Sequence, residues 1–354
     1  MSNRTVAGAD HVAALDGLRG VAAFAVMLTH FCVSLGLNGA PKAYLAVDFF
    51  FVLSGYVLAH AYEERLRQPG FFWPFVRLRL IRLYPLIPVG MLFGFLAFFG
   101  RNLVARDKGV DLPVLLATLG AGLLLLPFGR IPNANENHDF PFNPPIWSLM
   151  FEMIANLAYA VVARWLSNRL LLILVVLSGL GLAVICQQQG RLDLGEEKGF
   201  FAFGLLRVTF SFAAGVGLFR VARWKSRLPS ISFWLLALLL FLTFQVPQTL
   251  LPRLYDAGCI LVLYPLAVSL GLRAGLQERG RRWALLLGRL SYPLYVTHFP
   301  FMFVSTFLYN RFPMAESVRW GVLGVECAVA IGFAWLALRW YDEPVRAALR
   351  RLSA

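Results

Sequence analysis

Polar cover is what this sequence has too little of. Only 15% of its 354 residues are charged, 59% are hydrophobic, and the mean hydropathy is +0.67; a soluble domain cannot clothe itself with so few polar side chains. Cysteine is scarce as well. Cys32, Cys186, Cys259 and Cys327 lie in or at the ends of apolar runs, without Cys-x-x-Cys or Cys/His spacing; they read as packing residues and indicate neither a disulfide framework nor a structural zinc site. The apolar runs also lack alternation. "LLLILVVLSGLGLAVIC" (170–186) is continuous, so a closed barrel of strands is excluded and helices remain. No repeat, low-complexity tract or soluble end domain is visible. No small-residue cleavage signature follows the first apolar run and no lipidation motif stands at either end, so that run is expected to be retained.

What is present is a series of apolar windows near 15–36, 44–62, 83–100, 110–128, 146–166, 169–186, 200–221, 231–251, 255–276, 284–308 and 319–341. The net charge of +14 resides mostly in loops and at span ends, where positive-inside orientation accounts for it; no nucleic-acid partner is expected. The loops 63–82, 220–228 and 273–282 and the tail with Arg346, Arg350 and Arg351 are all basic. Eleven spans would put the first of these loops opposite the others. Making 83–100 re-entrant restores agreement and also brings Arg101, Arg106 and Lys108 to the cytoplasmic side; Pro85, Pro88, Gly90 and Gly94 weaken a regular helix there. The expectation is therefore an all-α polytopic membrane protein of about ten transmembrane helices, with both termini cytoplasmic and a single domain over 1–354, core about 12–343.

Four places keep ionisable side chains at a cost. In "LDGLRGVAAFAVMLTHF" (15–31), Arg19 and His30 are eleven positions apart, hence on one helix face and about 16 Å apart along the axis. An ionisable group near mid-membrane costs roughly 2.5–3.5 kcal/mol, so it reads first as a group facing a polar cavity, and histidine is suited to moving a proton. The alternative is a packing histidine bonded to a carbonyl. In "FVRLRLIRLYP" (75–85), Arg77, Arg79 and Arg82 can grip phosphates with their guanidinium forks, whether of lipid head groups or of a phosphorylated cofactor. Glu152 lies in an apolar helix with Ser148 four residues earlier on the same face. Its partner is His30 or an arginine, or it belongs to a structural ion pair. His298 is either functional or satisfied locally by Ser291, Tyr292 and Tyr295. Asp16, Asp48 and Ser54 add polarity to spans.

Taken in order, "LDGLRGVAAFAVMLTH", "VDFFFVLSGYVL", the Arg79 to Arg82 pair followed by "LYP", "WSLMFE", "LSYPLYVTHFP" and "YDEPVR" resemble acyltransferase family 3, the integral-membrane carbohydrate O-acyltransferases of bacteria. That resemblance implies a cytoplasmic-membrane enzyme using an acyl-CoA donor, most often acetyl-CoA, with no metal, and a carbohydrate hydroxyl as acceptor. On matching positions it implies His30 as the essential histidine, Arg19 as its motif partner and Glu152 as the carboxylate. Arg77, Arg79 and Arg82 would bind the donor, with Asp16, Asp48, Ser54, Trp147, Ser148, Tyr292 and His298 in support. Many members carry a further span and an esterase-like domain; this sequence ends at Ala354, so a stand-alone form is expected, or one that works with a separate extracytoplasmic transferase or glycan-assembly protein. The reading from another class is a proton-coupled transporter or flippase for a sugar or lipid-linked sugar.

Overall fold

The structure is a computed structural model and describes residues 2–105, 111–129, 131, 138–190, 192–221, 229–247, 249 and 252–352. Its described elements are helices: α1 (Ser2–Ser34), α2 (Ala46–Leu66), α3 (Phe72–Leu83), α4 (Leu86–Ala105), α5 (Leu112–Leu123), α6 (Ile146–Val162), α7 (Asn168–Gln189) and α8 (Phe201–Arg220) in the first part. They continue as α9 (Phe233–Gln245), α10 (Pro252–Gly258), α11 (Tyr264–Gly271), α12 (Glu278–Thr297), α13 (Phe299–Arg311), α14 (Glu316–Leu336) and α15 (Glu343–Arg351). A 3-10 turn, Ala43–Leu45, precedes α2, and π-helical turns join α10 to α11 and α14 to α15. Among the described residues, β-pairing is limited to two isolated bridges, His138 with Glu197 and Ser232 with Gly275.

Each apolar window becomes helical, but the windows are not equivalent. By length and composition, six described stretches can cross a bilayer: Ala13–Ser34, Ala43–Leu66, Asn168–Gln189, Phe201–Arg220, Leu254–Gly271 and Glu316–Arg351. The pair of α3 and α4 makes a seventh if taken as one bent span. The count of ten is therefore not reached on this criterion. Helices α5, α6 and α9 are apolar but have 12, 17 and 13 residues, short of the roughly 20 that a straight crossing needs, and α12 opens on the charged run "ERGRR". Arg106, Lys108, Arg223, Lys225 and Arg227, and residues 130 and 132–137 of the loop 129–145, lie outside the described residues.

The proline-rich window at 83–100 differs in detail from the sequence expectation. The chain bends by 40° between α3 and α4, at Tyr84 and Pro85, where the proline lacks the N–H that would continue the ladder. Pro88, Gly90 and Gly94 do not break α4. The window 284–308 also divides, with His298 at the junction of α12 and α13 just ahead of Pro300. Near the end of the chain, "YDEPVR" straddles the junction of a π turn with α15. Asp342 is buried there and pairs with Arg346, while Glu343 bonds Arg289 of α12 at 2.5 Å, so the segment anchors the last helix against α12.

Packing follows the amphipathic logic of lipid-facing helices. On α7, Leu171, Ser178, Leu182 and Cys186 are buried on one face, while Leu172, Ile173, Leu177, Leu180 and Val184 are exposed on the other. None of the four cysteines forms a disulfide. Helices α1 and α12 come nearly into backbone contact through small residues. A Cβ on Gly20 would lie 2.6 Å from the Leu287 backbone, and one on Gly288 would lie 2.5 Å from Asp16 Cβ. That closeness is what lets Arg19 reach the α12 backbone.

Candidate active site

Two cavities lie back to back within the bundle. The smaller, about 360 Å³, is lined by Asp16, Arg19, Ser54, Arg79, Arg82, Ser148, Glu152 and Tyr292 among others. The larger, about 750 Å³, is lined by His30, Tyr44, Trp147, Asp193, Glu196, Arg207 and Gln245 among others. Val47 and Tyr295 line both, and among the described residues no other side chain does.

The smaller cavity is an arginine pocket. Arg19 is fixed by Asp16 at 2.8 Å, by Ser291 Oγ at 2.8 Å and by the Gly288 carbonyl at 3.0 Å. Glu152 Oε1 accepts from Arg79 Nη2 at 3.0 Å and from Ser54 Oγ at 2.9 Å, so α2, α3 and α6 meet at one carboxylate. Arg79 Nε is buried and has no hydrogen-bond partner among the described residues. Arg82 lies over the Tyr292 ring, 5.8 Å from its centroid, and the Tyr292 hydroxyl donates to the Leu83 carbonyl. Three arginines thus face two carboxylates, leaving positive charge for an anionic guest.

His30, on the wall of the larger cavity, meets a second imidazole buried behind it, His298. His298 Nδ1 lies 2.9 Å from the Leu294 carbonyl; a carbonyl only accepts, so this nitrogen carries the proton. His298 Nε2 then has a lone pair, and His30 Nδ1, 2.8 Å away, donates to it. The proton on His30 is thereby held at Nδ1, and Nε2 is left as the basic nitrogen. The rings stack with centroids 5.0 Å apart, and Phe299 closes the edge of His30 at 5.2 Å.

Tyr295 forms the wall. Its hydroxyl lies 2.7 Å from Ser148 Oγ, and the two share the Pro145 carbonyl as acceptor, at 3.0 Å from Ser148 Oγ and 3.3 Å from the Tyr295 hydroxyl. Phe50 backs the tyrosine ring edge-on at 5.5 Å.

The structure sorts the residues singled out in the sequence. Arg19, Asp16, Ser54, Arg79, Arg82, Ser148, Glu152 and Tyr292 share the smaller cavity, whereas His30 and Trp147 belong to the larger. His298 touches His30 and is therefore not merely satisfied by its own helix. Four of these residues are placed as follows. Of the partners open to it, Glu152 takes an arginine, Arg79, together with Ser54, and not His30. Arg19, although on the same face of α1, lies in the other cavity because Gly288 and Ser291 draw its guanidinium across to α12. Arg77 is exposed and lines neither cavity. Asp48 is a structural group: Arg207 Nη2 meets it at 2.6 Å and both are buried.

Two groups escaped the sequence reading. Arg207, an intramembrane arginine within "FAFGLLRVTF", carried the same cost signal as His30. It bonds the Leu194 carbonyl at 2.8 Å and lies over Trp147 at 5.3 Å, tying the segment before α8 to the cavity rim. Tyr295 sat in a quoted motif, but nothing local marked it as the wall. Among the described residues no cluster of three or more His, Cys, Asp or Glu is arranged to hold a metal ion.

Residues 12–339 match the acyltransferase domain family, acyltransferase 3. The chain belongs to that family. Among relatives of this acyltransferase 3 chain is YrhL of Bacillus subtilis (strain 168), named provisionally as a peptidoglycan O-acetyltransferase, 24% identical over 95% of this chain and 55% of its own. The peptidoglycan O-acetyltransferase OatA of Listeria monocytogenes serovar 1/2a is 23% identical over 95% of this chain and 56% of its own. The chain thus spans about half the length of these two relatives. "Protein 2 in picA locus" of Rhizobium radiobacter is 38% identical over 43% of this chain and 80% of its own. No solved structure matches.

Proposed function

We propose that the protein transfers an acyl group, most directly acetyl from acetyl-CoA, to a hydroxyl of a cell-surface or exported carbohydrate such as O-antigen or exopolysaccharide. The observation that carries this reading is the pair of abutting cavities, one basic and one holding an imidazole, that meet at Tyr295. A reaction that joins a phosphate-bearing thioester to a neutral hydroxyl needs two unlike pockets with the reacting atoms at their seam.

The donor fits the smaller cavity on its own chemistry. Arg79 Nε is a buried donor without an acceptor, and Arg82 has no ion pair among the described residues; phosphate oxygens satisfy both. Arg19 and His30 stand eleven positions apart on α1, about 16 Å along the axis. The pantetheine arm extends about as far as four peptide residues, roughly 14 Å, which matches a phosphate held at the arginines and a thioester at the seam.

In the reaction, His30 Nε2 takes the proton of the acceptor hydroxyl as its oxygen attacks the thioester carbon. The C–S bond breaks, and the proton held on His30 passes to the departing thiolate. Tyr295 is placed to donate its O–H to the carbonyl oxygen as it becomes anionic, after letting go of Ser148. Asn38, Gln245, Tyr44 and Trp147 line the larger cavity with the amide and aromatic groups that suit a sugar, and the O-acetyl transfer named for two relatives supports acetyl as the group moved.

The same reading puts the chain in the bacterial cytoplasmic membrane, with about ten spans, both termini cytoplasmic and the arginine cavity facing the cytoplasm. Lipids surround it, and a separate extracytoplasmic transferase or glycan-assembly protein takes the acyl group onward where transfer is not direct. The test is thiol release from acetyl-CoA by purified protein, together with mass spectrometry of surface glycans from a deletion strain. Loss of one acyl mass per glycan repeat supports the proposal. Sugar uptake or flipping without thioester cleavage would replace it with the transporter reading.

A further inference from the structure

We infer that the end of the smaller cavity remote from Tyr295 is a stacking shelf for a purine base, built by His60 with Tyr56 and Phe219. The inference rests on the acyl-CoA reading above and extends it to the nucleotide end of the donor.

The cavity runs along one face of α2. Val47, Phe50, Ser54, Val57 and His60 all line it, spaced three, four, three and three residues apart, which keeps them on one stripe of the helix. From Val47 at the seam to His60 is thirteen residues, about 20 Å of helix. The Arg79 anchor enters at the level of Ser54, through Glu152, leaving six residues, about 9 Å, to His60. The groove therefore asks for a ligand with a thin arm at one end, negative charge in the middle and something else at the exposed end.

The rings at that end say what. Tyr56 and His60 are parallel within 8°, centroids 6.1 Å apart, and Phe219 stands edge-on to both, at 6.3 and 5.9 Å. Tyr56 is buried while His60 is exposed, so the imidazole offers a flat outer face over a tyrosine floor, with Phe219 packed behind both rings and outside the cavity lining. No hydrogen bond to its ring nitrogens is found among the described residues. A planar heteroaromatic base gains from such a platform whatever its edge pattern. Trp73 is 74% exposed, yet it is not among the lining residues and serves as a control.

Isothermal titration of the full chain in lipid nanodiscs tests the shelf with two probes, CoA and 4′-phosphopantetheine, which share the arm and a phosphate but differ in the nucleotide. Wild type should bind CoA more tightly by at least the roughly five- to hundredfold that one stacked base supplies, the two further phosphates of CoA adding to the preference. His60→Ala should cut that preference at least fivefold while leaving 4′-phosphopantetheine binding unchanged. His60→Trp should restore it, and Trp73→Ala should not alter it. If wild type binds CoA but His60→Ala keeps the full preference, or wild type shows none, the shelf is wrong and the donor reading stands. If wild type binds neither probe, the acyl-CoA reading itself falls.

Discussion

His30 Nδ1 and His298 Nε2 lie 2.8 Å apart across α1 and the α12–α13 junction, 268 positions distant in the chain. With His298 Nδ1 committed to the Leu294 carbonyl, this contact sets which nitrogen of His30 is basic. On the proposed mechanism His298 is thus a positioning residue. His30→Ala should lower transfer by about 10²–10⁴-fold, the usual contribution of a general base. His298→Ala should lower kcat by about 10²-fold, the scale of a misplaced catalytic group. His298→Gln, whose amide oxygen can accept the same hydrogen bond, should recover part of that loss. The double alanine variant should be no slower than His30→Ala alone, because the two act as a unit; additive losses in steady-state kinetics would contradict the coupling.

Tyr295 separates the cavities, so its replacement should split cleavage from transfer. Tyr295→Phe removes the hydroxyl but keeps the wall, and should reduce kcat by about 10²–10³-fold with little change in KM. Tyr295→Ala opens the seam to water and should raise acetyl-CoA hydrolysis relative to acyl transfer. The ratio of thiol released to acyl groups incorporated measures this; a ratio equal to wild type in the alanine variant rules out the partition.

Glu152 holds Arg79 rather than His30, which predicts where its loss is felt. A charge-assisted hydrogen bond is worth roughly 1.5–3 kcal/mol, so Glu152→Gln should raise KM for acetyl-CoA by about tenfold or more and change kcat little. Arg82→Ala should weaken the donor further, with membrane insertion intact. A fall in kcat at unchanged KM in Glu152→Gln would return the carboxylate to the histidine.

The ion pair of Asp48 and Arg207 is buried on both sides, at 0% and 1% exposure. Breaking such a pair from one side costs about 3–5 kcal/mol, because the remaining charge is stranded, whereas replacing both partners by apolar groups is often neutral or stabilising. Asp48→Ala and Arg207→Ala should each lower the thermal midpoint in detergent sharply, and Asp48→Leu with Arg207→Met should recover most of the loss. Equal destabilisation by the double variant would show that Arg207 acts mainly through Leu194 and Trp147.

Some of this was legible before any coordinates. The helical windows were, because hydropathy and breaker residues act locally: the bend at Tyr84 and Pro85 appears where proline removes a donor, and the stripes of α7 follow the 3.6-residue period. Intramembrane His30, Glu152 and Arg19 were visible as functional candidates because desolvation is a cost each residue bears alone. Span number was less legible. Short α5, α6 and α9 are apolar enough for a membrane but too short to settle how they cross it.

By itself, then, the sequence determined an all-helical membrane protein of the acyltransferase 3 family and the side chains that are candidates for its chemistry. Tertiary structure alone decided the partners: Glu152 with Arg79, His30 with His298, and Tyr295 as the wall between two cavities. The reason is geometric. Hydropathy sums along the chain and survives without knowledge of packing, whereas a hydrogen bond depends on a few tenths of an ångström between helices whose approach is set by residues such as Gly20 and Gly288, far from the groups they bring together.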